Sequence, residues 1–129
     1  MKYISLLALL AVTLSTAACN KAESPSEVQK DVAVSTEKAA SETTEARATA
    51  ANKINDKVQD LGKSEQGVAT AVREGAYEVA IAQADGEHKI AIQKCEALSG
   101  AQQSACKDRA DADYKLAKET ATRTKPSSP

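Results

Sequence analysis

Apolar residues are sparse along most of this chain, but their spacing is regular. Ser24-Pro25-Ser26-Glu27 reads as a helix start, with Ser24 as N-cap, Pro25 at the first helical position and Glu27 closing a capping box. From there Val28, Ala39, Ala50 and Leu61 recur every eleven residues, and Val32, Thr43 and Ile54 keep the same interval. Eleven residues in three turns is 3.67 per turn, so this stripe runs nearly straight along a helix ending near Gly62. Its weak face suits a shallow partner, a membrane surface or solvent better than a deep core. Lys63 to Gly67 is the expected break.

A second helix is expected from about Val68 to Leu98. Val68, Val72, Ala76, Val79, Gly86 and Ile90 line one side, and Tyr77, Ile81, Ala84, His88, Ile92 and Cys95 another. As the segment richest in branched aliphatics, it is expected to be the most buried, with Gly75 and Gly86 as soft points. A β-hairpin competes here: Tyr77, Val79 and Ile81, then Ile90 and Ile92, alternate with polar residues around Asp85-Gly86. Helix is preferred over 77–92 because Ala80, Ala82, Ala84 and Ala91 are poor strand residues. A third helix is expected over about Ala101 to Ala121, followed by a frayed polar tail from 122 to 129.

The first residues differ from the rest. Lys2 is followed by an uncharged Leu- and Ala-rich run from Tyr3 to Leu14 and by the small, polar Ser15 to Ala18, the layout of an export signal. Its apolar run of about 12 residues is too short to span a bilayer, which takes roughly 20. Ser15-Thr16-Ala17-Ala18-Cys19 resembles the lipobox of bacterial lipoprotein signals, in which cleavage precedes a cysteine that is then lipidated. Thr16 stands where that family usually has Leu, which leaves ordinary cleavage after Ala18 as the alternative. The resemblance implies that Cys19 anchors the mature chain to a membrane, and Asn20 after it implies the outer membrane under the enterobacterial sorting rule.

From residue 19 onward the chain has 14 Val, Ile or Leu against 22 Ala, with Tyr77 and Tyr114 as its only aromatics. That composition excludes a sizeable globular core and favours elongated helix. The 18 acids against 16 Lys and Arg beyond the leader leave no basic field for nucleic acid. The three cysteines, Cys19, Cys95 and Cys106, leave one over if two pair in an exported protein. With Cys19 taken by lipid, the disulfide falls to Cys95 and Cys106. On one unbroken helix these would lie about 16 Å apart, beyond the ~7 Å reach of a disulfide, so the chain must turn back at Leu98-Ser99-Gly100. Mirroring about Gly100 sets Ala91 against Ala110, His88 against Asp113 and Ala84 against Ala117. Spacings for zinc or C-x-x-C redox chemistry are absent, so neither a metal nor a cofactor is expected, and His88 reads as a solvated helix residue.

The expected fold is therefore all-α: an elongated Ala-rich helix followed by a disulfide-stapled helical hairpin, with little globular core. The segments are a signal peptide (1–18), a lipidated tether (19–24), a helical spacer (25–62), the hairpin (68–121) and the tail. Lys94-Cys95-Glu96-Ala97-Leu98-Ser99-Gly100, Cys106, Ala112-Asp113-Tyr114 and Asp85-Gly86-Glu87-His88-Lys89 resemble a group of small proteobacterial envelope proteins. That resemblance implies an exported helical protein and no activity. A looser, architectural similarity to murein lipoprotein does not extend to its C-terminal Lys, since this chain reads Pro126-Ser127-Ser128-Pro129.

The leading functional expectation is a non-enzymatic outer-membrane lipoprotein facing the periplasm, a helical structural or interaction module. Its partner would be another envelope protein or a second copy, with no small-molecule substrate. The alternative is a conditionally disordered envelope protein protecting against stress or desiccation, suggested by the Thr, Ala, Lys and Glu of residues 30–60. An enzyme or thiol oxidoreductase finds no Ser-His-Asp set, metal cluster or phosphate loop in support.

Overall fold

A computed structural model describes residues 21–60 and 65–125. The described residues form three helices and no strand: α1 (Pro25–Gln59), α2 (Glu65–Cys95) and α3 (Gly100–Thr124). The capping box at the start of α1 is complete. Ser24 Oγ accepts from the Glu27 N–H, and the Glu27 side chain accepts from the Ser24 N–H at 3.0 Å. These bonds satisfy two of the donors that a helix start leaves without partners. Ser24→Ala is expected to cost about 1 kcal/mol of stability, read as a lower urea midpoint with unchanged slope. Residues 77–92 are helical throughout, so the hairpin reading is not adopted. The second helix begins at Glu65, earlier than the expected break allowed, and Gly67 lies inside it. Leu61 and Gly62, the expected end of the first helix, fall outside the described residues.

The long first helix does not project away from the hairpin as a free spacer. It lies antiparallel along α2, in a register that four residue pairs define. Ala39 sits against Gly86 and Ala50 against Gly75; Glu42 pairs with Lys89, and Lys53 with Glu78. Within each helix the repeated position recurs after eleven residues. The interval expected to give a straight stripe on α1 therefore recurs on α2, and the seam closes along both. Gly75 and Gly86 are not soft points. A Cβ on Gly86 would lie 2.5 Å from Cβ of Ala39, and one on Gly75 would lie 2.7 Å from Cβ of Ala50. Methyl groups of α1 rest on bare backbone of α2, so the axes approach closely with little side-chain volume between them.

α3 packs against the other side of α2. Ala84 and Cys95, buried against α3, stand nine residues after Gly75 and Gly86 respectively. Nine residues are two and a half turns, which places the two seams on opposite sides of the same helix. No Cα of α1 comes within 8 Å of one of α3. The three helices thus form one flat layer with α2 in the middle, not a bundle around a shared centre.

This arrangement explains what is buried. Among the described residues the buried apolar side chains are six alanines and Cys95, at Ala39, Ala50, Ala71, Ala84, Ala110 and Ala121 besides the cysteine. The aliphatics of α2 were expected to be the most buried residues, but a layer has no interior to receive them. Val79, Ile81, Ile90 and Ile92 are half-buried, and Val72 is 46% exposed. Where α3 ends, near Tyr77, which Lys125 caps at 5.2 Å, α1 and α2 continue as a two-helix tip.

Candidate functional site

At the α2–α3 turn, Cys95 and Cys106 form a disulfide with their Cα atoms 5.6 Å apart, the pairing expected from cysteine parity. After Cys95 the backbone tightens into i→i−3 hydrogen bonds from Glu96, Ala97 and Leu98 to Gln93, Lys94 and Cys95. Ser99 is the N-cap of α3 in extended conformation, and Gly100, at φ 57°, opens the helix in the left-handed region that glycine tolerates. The turn residue thus starts the third helix instead of ending the second. Gln103, 3% exposed, donates to the Glu96 carboxylate at 2.8 Å, and Lys107 pairs with the same group at 2.6 Å. Cys95 itself is 1% exposed, while Cys106 is half-buried.

One helical turn and more along the hairpin lies its densest polar contact. His88 stacks on Tyr114 with ring centroids 4.6 Å apart, and its Nε2 lies 2.7 Å from Asp111 Oδ1. An ionised carboxylate only accepts, so Nε2 carries the proton. Tyr114 donates to Asp85, and Lys118 lies over the tyrosine ring at 3.9 Å. His88 is thus a half-buried member of an interlock, not the solvated residue expected. The sequence mirror named Asp113 as the residue opposite His88; the carboxylate that binds it is Asp111. Asp113 instead lines, with His88, Tyr114 and the facing Ala84, Ala91, Ala110 and Ala117, a cleft of about 190 Å³. That is below the ~300 Å³ at which small-molecule sites begin, whereas the more open grooves along the helices measure about 340 to 450 Å³; the four alanines that the mirror set across the hairpin all line the cleft. Tyr114, part of the Ala112-Asp113-Tyr114 motif, carried no expected contact, since a tyrosine on a polar helix gives no local signal of a partner 29 residues away.

The start of the described chain lies at this same end. The Glu23 N–H donates to the Glu96 carbonyl at 2.9 Å, tying the segment before α1 to the α2–α3 turn. Cys19 lies outside the described residues, as does the whole leader; four peptide units separate it from Glu23, a reach of at most about 14 Å. The Glu23 carboxyl is held above the ordinary carboxylate range by desolvation and then by Asp31, Glu96 and Glu27, while hydrogen bonds from Ser24 hold Glu27 below it. The signs oppose each other. Ionised Glu27 adds stability that is lost as pH falls through its lowered value, whereas ionised Glu23 subtracts stability that returns on protonation. Glu23→Gln is accordingly expected to raise the thermal midpoint at pH 7, with the gain shrinking as acid protonates the wild-type carboxyl.

Among the described residues no group of three His, Cys, Asp or Glu is arranged to hold a metal ion, and no helix is long and apolar enough to cross a membrane. Comparison with known proteins returned no matching family model, no similar curated protein and no similar solved structure.

Proposed function

We propose that this chain is a non-enzymatic, lipid-anchored helical module of the bacterial envelope, held by Cys19 at the outer membrane and facing the periplasm. The observation that carries the reading is the allocation of three sulfurs. Cys95 and Cys106 are joined, which suits an oxidising compartment and leaves Cys19, at the end of a lipobox-like signal, as the remaining thiol. The position of Glu23 supports it further. An anchor at Cys19 would hold the stapled end of the layer near the membrane, and the tip of α1 and α2 would stand off by roughly the ~50 Å length of α1. A disulfide with one buried sulfur and the absence of a metal-holding cluster among the described residues support a structural or binding role over catalysis.

Intact mass spectrometry of the chain isolated from membranes tests this. The expected mass corresponds to a chain starting at Cys19 with added acyl groups, and lacking two hydrogens at the other cysteines. A mature chain starting at Asn20 or at an unmodified Cys19 overturns the anchor. Coil in far-UV circular dichroism over residues 30–60, turning to helix only on drying, would favour the protective reading instead.

A further inference from the structure

The two broad faces of the layer are not alike. Glu78, Asp85 and Lys89 on α2 and Glu96 just beyond its end share one face, spaced seven, four and seven residues apart. Each is bonded sideways: Glu78 and Lys89 to α1, Asp85 and Glu96 to α3. On the other face no described ion pair occurs. It carries instead a groove between α1 and α2 floored by Ala39, Ala50 and Gly75, with Ile54, Val79 and Ile90 half-buried along it. Val58 and Val72, two of the four exposed large hydrophobics, lie at the tip end of this same face.

We infer that this groove face is the docking surface for a second copy of the chain, stacked so that a helix of each copy lies in the groove of the other. The inference names the partner that the proposed function leaves open and rests on that reading only there. Three observations select this occupant. First, the ridges flanking the groove repeat the recipe of the internal seams: Ala33, Ala40 and Ala51 on α1, and Ala69, Ala76 and Ala80 on α2, allow close helix approach, and Ala40 and Ala51 keep the eleven-residue interval that holds the seams straight. One layer thus offers both the ridge and the groove that an isologous contact needs. Second, the face is large enough. Two helices ~10 Å wide, alongside each other over about 45 Å, present on the order of 900 Å², against the ~800 Å² that each partner gives to a standard interface. Third, the charge suits a like surface. The groove borders hold Arg47 and Glu87, and exposed Lys94 stands eleven residues beyond the groove-lining Gln83 on the same face, so Glu87 of one copy can meet a base of the other. A lipid surface would call for bulky apolar residues, whereas this face is rich in Ala and Thr.

The test is sedimentation equilibrium of the full chain as isolated, in density-matched nonionic detergent, with Ala51→Glu, Ala76→Glu and Ala112→Glu variants. All three positions are exposed in the single chain, so the variants should keep its helical content; Ala112 lies away from both the groove and α2. The expected result is a wild type and Ala112→Glu of twice the chain mass, with dissociation at least ~100-fold easier in Ala51→Glu and Ala76→Glu, because stacking would bury unpaired carboxylates. A monomeric wild type at ~100 μM overturns the inference, as does a dimer that Ala112→Glu weakens as much as the groove variants do. A monomer that still carries acyl mass at Cys19 removes the second copy and leaves the anchor standing; a dimer with an unmodified Cys19 does the reverse.

Discussion

Replacing Gly86 with leucine is expected to pry α1 from α2 and to cost about 3 kcal/mol of stability, although the substitution improves helix propensity by nearly 1 kcal/mol. The sign follows from what the new side chain meets. Even its Cβ would lie 2.5 Å from the Ala39 Cβ and 3.3 Å from the Ala39 Cα. Those atoms are fixed to the backbone, so no rotamer change relieves the contact and the helices must separate. Separation also lengthens the flanking Glu42–Lys89 pair, whose 2.9 Å bond crosses the same seam. Gly86→Ala should show the effect in milder form, and Ala39→Gly in that background should recover most of it by moving the methyl from one helix to the other. Gly67→Ala is the control: nothing lies within 4 Å of its Cβ, and a gain of roughly 0.5–1 kcal/mol is expected from helix propensity. Urea unfolding followed by far-UV circular dichroism gives the energies. Hydrogen exchange should locate the Gly86→Leu loss in α1 and α2 while α3 keeps its protection, because α1 and α3 do not touch.

Removing the bridge with Cys95→Ala and Cys106→Ala is expected to cost a similar amount, about 3 kcal/mol in the chain-entropy treatment of so short a loop, but in a different place. The disulfide joins α2 to α3 alone. Beyond it, that seam rests on alanine contacts, the Glu96 bonds to Gln103 and Lys107, and the His88, Tyr114, Asp111 and Asp85 interlock. Amides of α3 should therefore exchange faster in the double variant, with those of α1 little changed. In the wild type Cys95 is buried and Cys106 half-buried, so a reductant reaches the bridge from the Cys106 side, and reduction should quicken in mild denaturant as the turn opens. Equal loss of protection in α1 and α3 would show that the layer unfolds as one unit and that the two seams are not independent.

Local chemistry was legible in the sequence wherever a signal lies within one turn or one repeat. The capping box and the turn before Gly100 could be read from spacing, and the helical state of 77–92 from residue propensity against the alternating pattern. The Cys95 to Cys106 bridge followed from parity and the length of a helix turn. Harder to read were the partners. The eleven-residue stripe of Val28, Ala39 and Ala50 announced a straight, shallow contact and said nothing about what it touched; Gly75 and Gly86 looked like defects because helix propensity is a property of one helix, and their value as close-approach points exists only between two. His88 likewise finds Asp111 in place of Asp113 because side-chain reach and helix rotation, not residue height alone, choose between neighbouring carboxylates.

By itself, then, the order of residues determined three helices, their caps, a thin Ala-rich interior and the one disulfide, since each depends on contacts within about a dozen positions of the chain. Only the tertiary structure decided that the helices lie side by side with α2 in the middle. That outcome depends on the half-turn offset between Gly86 and Cys95, which sends α1 and α3 to opposite sides, and on methyl groups of one helix meeting the bare backbone of another 25 and 47 residues away in sequence.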